Sequence, residues 1–304
     1  MYVARPNLLI YLRRQKKVWH DYTTLNMTGQ VLNQLTIPGD YWMFQYSPDG
    51  KYLARSGGDF LLYDIDRGVD ELISTQPLPF HFDWSPDSGS FVYLAYPEGN
   101  LYERFVKSDE SVILRDSIAR GASYPEWLPD RSAVLLILTN QNSQAEKSLW
   151  KYPIGPNEQA TQLLKGEANV FMARVSPDGR WIAYVGGSTS SKKEVFIRPF
   201  PAMTTRIPVS TTGGNFPNWS QDSSRLWYMN STGRLELVDV DNTGSVTAPV
   251  LVSERIVSFF PTVHLPSGFT VHPDGDKVFV SDNGLRYDLS EIVIWSNWQS
   301  TLSE

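Results

Sequence analysis

Short stretches in which apolar and polar residues alternate recur along the chain, and each is typical of a β-strand. In "VSPDGRWIAYVGG", residues 175–187, a proline-containing turn leads into an alternating stretch rich in aromatic and β-branched residues. The pattern returns as "YSPDGKYLARSGG" from 46, "WSPDSGSFVYLAY" from 84 and "VHPDGDKVFVSDN" from 271. No segment keeps a helical period, so the pattern predicts an all-β protein.

The spacing of the turns predicts the architecture. The turn position is occupied by Pro48, Pro86, Pro129, Pro177, Gln221 and Pro273, with Pro6 as a degraded copy one period earlier. The mean period is roughly 44 residues, the length of one four-stranded propeller blade. We therefore predict one domain over residues 1–304, a seven-bladed β-propeller of four-stranded antiparallel blades, because a closed ring leaves few sheet edges exposed. Six blades result if the two chain ends share one blade.

The aspartate of each turn is interpreted as a turn former rather than a metal ligand. Proline pre-sets the backbone at the second turn position, Asp suits the third, and Gly takes the left-handed position that closes the hairpin. Asp49, Asp178 and Asp274 are followed by Gly, whereas Asp87 and Asp130 are followed by Ser and Arg. The aspartates recur once per unit whatever else changes, which favours a local role.

The amino-acid composition argues against several classes of function. The chain has no cysteine, so thiolate metal sites and cysteine nucleophiles are excluded. The net charge is -6, and the one local cluster of Lys and Arg, "RRQKK" at 13–17, is interpreted as a solvated hairpin turn rather than a binding patch, so nucleic acid is not an expected partner. The apolar run at 133–138 is too short to insert into a membrane. Motifs of nucleophilic, zinc or phosphate-loop chemistry are missing, so we expect no catalytic residues, no cofactor and no enzyme activity.

One polar position per unit is the candidate site. The first strand of each blade lines the channel of a propeller. The residue just before the hallmark position, which is aromatic in four units and valine in two, is polar in every unit: Gln45, Asp83, Glu126, Arg174, Asn218 and Thr270. Two residues earlier the column contains His81, Tyr124 and Phe216. We expect these nine residues to bind a ligand at the channel mouth. The aromatic column itself, with Trp84, is expected to wedge between blades.

Two uses of this mouth are open. In the favoured hypothesis it captures a protein, peptide or small ligand, with Arg174 paired to Asp83 or Glu126 when empty. Aromatic side chains near the opening, Trp42, Tyr124 and Phe216, would be exposed anchors. The alternative is a metal-dependent lyase or hydrolase acting on a saccharide or lactone. In that case His81, Asp83 and Glu126 would be the metal ligands.

The "W-S-P-D-G" hairpins resemble those of the TolB-like family of propellers, over nearly the whole chain. From residue 170 onward, "VSPDGRWIAYVGG", "EVFIRPFP" and "STTGGNFPNWSQDSSRLWYM" are similar to the propeller of bacterial serine/threonine receptor kinases. The resemblance implies a sensor or interaction module outside the cytoplasm, as part of a larger membrane-anchored receptor, although a cytoplasmic location stays open. The kinase signatures "HRD" and "DFG" are missing, so it implies the propeller portion alone.

Overall fold

The structure is a computed structural model, and its strands account for most of the chain it describes. It describes residues 2–5, 8–13, 18–38, 41–57, 59–74, 81–95, 99–108, 110–116, 118, 121–140, 143–155, 158–165, 167, 169–187, 193–254, 268–287 and 291–296. None of these segments forms a helix with the length and apolar character that a membrane crossing needs.

Four strands near the amino-terminal end do not form a blade together. They are β1 (Tyr2–Arg5), β2 (Leu8–Arg13), β3 (Val18–Asn26) and β4 (Val31–Pro38). Both β1 and β2 belong to a three-stranded sheet with β27 (Glu291–Ser296), in which Ile10 is opposite Ile294. Consequently β3 and β4 are left to pair elsewhere.

Five blades each consist of four consecutive antiparallel strands. The first two comprise β5 (Tyr41–Tyr46), β6 (Tyr52–Gly57), β7 (Phe60–Asp64), β8 (Val69–Ser74), β9 (Phe82–Trp84), β10 (Ser90–Ala95), β11 (Asn100–Phe105) and β12 (Ser111–Arg115). The next two comprise β13 (Ala122–Trp127), β14 (Ala133–Asn140), β15 (Ser143–Pro153), β16 (Thr161–Gln162), β17 (Met172–Val175), β18 (Trp181–Gly186), β19 (Glu194–Pro199) and β20 (Ile207–Pro208). The fifth comprises β21 (Gly214–Trp219), β22 (Arg225–Asn230), β23 (Leu235–Asp239) and β24 (Val250–Ser253).

The sixth blade joins the two ends of the chain. Its order is β25-β26-β3-β4, with β25 (Phe269–Val271) and β26 (Lys277–Tyr287) from the carboxyl-terminal part. Thr24 of β3 is opposite Phe279 of β26. The propeller is thus confirmed with six blades, the alternative count, rather than seven. The count of seven gave the Pro6 repeat a blade of its own, whereas β3 and β4 complete the blade begun by β25.

The hairpin turns have the predicted local chemistry. Gly50 and Gly179 have φ of 72° and 73°, and Ser88 and Ser223 take the same left-handed position with φ of 61° and 60°. The Ser223 hydroxyl accepts a hydrogen bond of 3.0 Å from the Asp178 backbone N–H of the preceding blade. The Ser88 hydroxyl likewise accepts one of 3.0 Å from the Asp49 backbone N–H of the first blade. Serine therefore replaces glycine where its hydroxyl links two blades.

The turn aspartates act as turn formers. The carboxylate of Asp178 accepts hydrogen bonds from the Ser176 hydroxyl at 2.6 Å and from the Arg180 backbone N–H at 3.0 Å. Because these bonds join residues of one turn, the interpretation as a local structural element is sufficient for this position.

Apolar side chains fill the spaces between neighbouring sheets. The aromatic column is buried between blades at Trp84, Trp127 and Trp219, as predicted. The indole N–H of Trp84 donates to the Gln45 backbone oxygen of the preceding blade at 3.2 Å. These contacts hold each inner strand in place and so position the side chains that face the channel.

Candidate functional site at the channel mouth

Five of the six predicted channel residues surround one cavity. Gln45, Asp83, Glu126, Arg174 and Asn218, from five consecutive blades, line a cavity of about 190 Å³ on the side of the proline turns. The turn residues around them, which form the rim, are Pro48, Pro86, Pro129, Pro177 and Gln221. The periodic polar position therefore converges on the channel mouth.

Arg174 lies between two carboxyl groups from two other blades. Its Nη1 donates to Asp83 Oδ1 at 2.9 Å and also to Glu126 Oε2. The Arg174 side chain is 17% exposed, and both carboxyl side chains are 8% exposed. The expected pairing is thus present, with both acids rather than one of them. Few solvent molecules reach this pair, so its electrostatic interactions are stronger than those of surface pairs.

The same side chains also connect blades through backbone groups. Asp83 Oδ2 accepts a hydrogen bond of 2.8 Å from the Trp127 backbone N–H, and Glu126 Oε1 accepts one of 3.2 Å from Val175 N–H. This second role was not predicted, although the sequence carries a signal for it: a polar residue directly precedes the aromatic or valine position in every unit, as these bonds require.

Thr270 is the sixth member of the column and does not line the mouth cavity. It is 3% exposed, and its hydroxyl accepts a hydrogen bond of 3.3 Å from the Tyr46 backbone N–H. Thr270 therefore has the same bridging geometry as Asp83 and Glu126, with a side chain too short to reach the cavity.

Burial governs the protonation of the acidic pair. It raises the pKa of Glu126 to about 8, with a further contribution from the nearby Asp83 charge that the Arg174 charge opposes. Burial also raises the pKa of Asp83, against the opposing effects of Arg174 and of Gln45, whose amide donates at 2.8 Å. Both carboxyl groups therefore keep a proton to higher pH than exposed carboxyl groups do, and the Arg174 guanidinium opposes this effect.

The second column lies beyond this cluster, toward the other end of the channel. His81, Tyr124, Met172 and Arg174 line a small cavity of about 10 Å³ there. The prediction that both columns meet at one mouth placed them too close together. Two residues along a strand advance by roughly 6.6 Å. This distance separates the second column from the mouth cavity that Arg174 and the rest of the first column line.

The expected aromatic anchors are also corrected. Phe216 is 4% exposed and belongs to the largest apolar core, and Tyr124 is half-buried against the same core. Both have left-handed backbones, with φ of 56° and 53°, where the register of the first strand shifts by a β-bulge. The Trp42 side chain lies outside the described part.

The residues of the alternative metal site do not fit a metal ion. Among the described residues, the group whose His, Asp and Glu ligand atoms all lie within 4.8 Å of one another is His272, Asp274 and Asp276. His81, Asp83 and Glu126 do not form such a group, and the Arg174 guanidinium lies between the two acids. A cation in that position repels a metal ion.

The comparisons with known proteins agree on the architecture. No protein-family model matches the chain, and neither does any curated protein. A TolB candidate of Agrobacterium tumefaciens has 17% identity and a TM-score of 0.66, covering 87% of this chain and 98% of its own. The fold is a TolB-like six-bladed β-propeller.

Two further solved structures show how far this likeness extends. TolB from Acinetobacter baumannii has 16% identity and a TM-score of 0.57, with 89% of this chain and 65% of that chain covered. An oligogalacturonate lyase in complex with manganese has 12% identity and a TM-score of 0.55, with 92% and 100% covered. Identities this low carry over the fold and not the activity.

Proposed function

We propose that this propeller is a non-catalytic binding module that receives part of a protein or peptide partner, or a small ligand, in its channel mouth. The observation that carries the proposal is the convergence of five polar side chains from five blades on one cavity. Convergent polar groups in a concavity are the default arrangement of a binding site. The TolB-like fold supports a binding role.

The size of the cavity restricts what enters it. Sites that enclose a whole drug-sized molecule have volumes of about 300–1,000 Å³, and the mouth is smaller. A side chain or a chain end of a partner fits this space, and the rest of the partner would rest on the proline turns. Asn218 makes no side-chain hydrogen bond to another described residue, so its amide is available to such a group.

Asn218→Arg tests the site without removing a bond between blades. Peptides would be selected from a random phage-displayed library on the wild-type protein, and their affinities for the variants measured. We expect Asn218→Arg to weaken binding at least tenfold by filling the mouth. Ser231→Arg, an exposed position at the turn between β22 and β23, is the matched control and should bind like wild type. Equal binding by both variants would contradict the proposal.

A direct assay separates this proposal from the alternative of a lyase. The support for the alternative is the shared fold with an oligogalacturonate lyase, and the position of Arg174 opposes the predicted metal ligands. Purified protein would be incubated with oligogalacturonate and Mn²⁺. Turnover that Glu126→Gln abolishes would overturn the non-catalytic proposal.

The proposal extends to the cellular setting. We place the module outside the cytoplasm as the ligand-facing part of a membrane-anchored receptor, supported by the likeness of residues 170 onward to receptor-kinase propellers. The test is the location of the full-length protein in fractionated cells. Recovery in the cytoplasmic fraction alone would contradict it.

A further inference from the structure

Two lysines from neighbouring blades contact one phenylalanine ring on the face opposite the channel mouth. The ammonium group of Lys193 lies 4.2 Å from the centre of the Phe171 ring, and that of Lys147 lies 5.2 Å from it. The two positive charges are therefore within about one Debye length of each other, roughly 10 Å, and repel.

Nothing in the described part of the chain neutralises this pair. Neither lysine has a carboxylate within the ion-pair distance, although each is next to a glutamate in the sequence. Glu146 accepts from the Asn140 amide at 2.8 Å, and Glu194 accepts from Ser210 and the Gly213 backbone N–H. Adjacent residues of a strand point to opposite faces, so Glu146 is turned away from Lys147 on β15.

Both lysines are half-buried, which makes the missing counter-charge unfavourable. Burial lowers the pKa of Lys193 to about 8, and the Lys147 charge lowers it further; burial also lowers the pKa of Lys147. Desolvating a charge without a partner is destabilising, and an apolar residue would suit a purely structural position better. The arrangement is therefore one that a bound anion would stabilise.

The imidazole of His81 packs against the Tyr124 ring on the channel side, with the ring centres 3.9 Å apart. Nε2 of His81 is buried and has no hydrogen-bond partner among the described residues. Burial lowers the pKa of His81 to about 3, and the charges of Lys147 and Arg174 act in the same direction. A neutral imidazole can donate a hydrogen bond, and Nε2 of His81 has no partner among the described residues.

We propose that Lys147 and Lys193 form an anion-binding site at the channel end opposite the mouth, which takes a carboxylate or phosphate group of a small ligand. Phe171 holds both ammonium groups through cation–π contacts, and the anion contacts both of them. This site is separate from the mouth, so it stands independently of the proposed function.

Calorimetric titration of the whole chain with two probes tests the site. Inorganic phosphate and citrate would each be titrated at neutral pH, with ionic strength held constant by chloride. We expect saturable one-to-one binding in or below the millimolar range for at least one probe. Binding of phosphate alone identifies a phosphate site, and binding of citrate alone a carboxylate site. Absence of binding for both would overturn the proposal.

Variants assign any binding to the two lysines. Lys147→Met and Lys193→Met keep most of the apolar stem, and each should weaken binding at least tenfold. Lys151→Met, on the same strand toward the mouth, is the matched control and should bind like wild type. Thermal unfolding checks that each variant is folded. Unchanged affinity in both lysine variants would overturn the proposal even if the anions bind elsewhere.

Discussion

Replacing Arg174 by methionine removes the guanidinium shared by Asp83 and Glu126 while keeping an apolar stem of similar length. Both carboxyl groups then remain buried between blades, without the charge that contacts them. Removing one partner of a buried ion pair destabilises a protein by about 3–5 kcal/mol. Total stabilities are typically about 5–15 kcal/mol, so the variant should unfold at a much lower urea concentration.

The loss should depend on pH in a defined direction. The pKa of Glu126 is about 8 in the folded protein and near its ordinary value of 4.5 after unfolding. The folded state therefore binds more protons between these values, and stability falls as the pH rises through that window. Without Arg174 both carboxyl pKa values rise further, so the fall becomes steeper. The destabilisation by Arg174→Met should be larger at pH 8.5 than at pH 5.

Urea unfolding at these two pH values, followed by tryptophan fluorescence, measures the effect. Arg131→Met is the matched control, because Arg131 also contacts two carboxylates, Asp87 and Glu103, but is 34% exposed. Its effect should be smaller and less dependent on pH. The reasoning is refuted if Arg174→Met costs no more than Arg131→Met, or if its cost is greater at pH 5.

Three further substitutions, one of them with a matched control, test the contacts between blades and the closure of the ring. Thr270→Val leaves the Tyr46 backbone N–H without its acceptor and should lower the free energy of unfolding by roughly 1–3 kcal/mol; an unchanged urea midpoint would show that the bond contributes nothing. Gly244→Ala places a Cβ 2.3 Å from the Trp181 ring at a φ of 85° and should lower the melting temperature, whereas an unchanged value would disprove the close approach. Thr24→Pro, in the inner part of the closing blade, should open the ring and give oligomers on size-exclusion chromatography. The control Gln34→Pro, on the outermost strand, should stay monomeric. The same elution volume for both variants would argue against closure of the ring by β3 and β4.

The periodic part of the molecule was predictable from the sequence. One polar position, followed by an aromatic residue or valine, recurs in each unit and sets the register of the inner strands, because a one-residue slip would move every side chain to the other face. Five of the six polar residues accordingly surround the mouth cavity, and Trp84 and Trp219 are buried between blades. Periodicity is informative here because the same positions of each unit pack against a neighbouring blade.

Features without a periodic signal were not predictable. The spacing of the turns gives the number of repeats but does not determine which strands pair. The pairing of β3 with β26 was therefore predicted only as the alternative in which the two chain ends share one blade. The bulges at Tyr124 and Phe216 depend on local register shifts that no residue type specifies. Lys147 and Phe171 lie outside the aligned columns, in segments that the repeat does not bring together in sequence.

The double role of the polar column decides which variants report on function. Asp83 and Glu126 accept hydrogen bonds from backbone groups of the next blade as well as facing the cavity, so replacing either changes stability and the site together. Asn218 faces the same cavity without such a bond to a described residue. A loss of binding in Asn218→Arg therefore reports on the mouth alone. Loss in an Arg174 variant reports on the mouth only after its unfolding free energy has been measured under the same conditions.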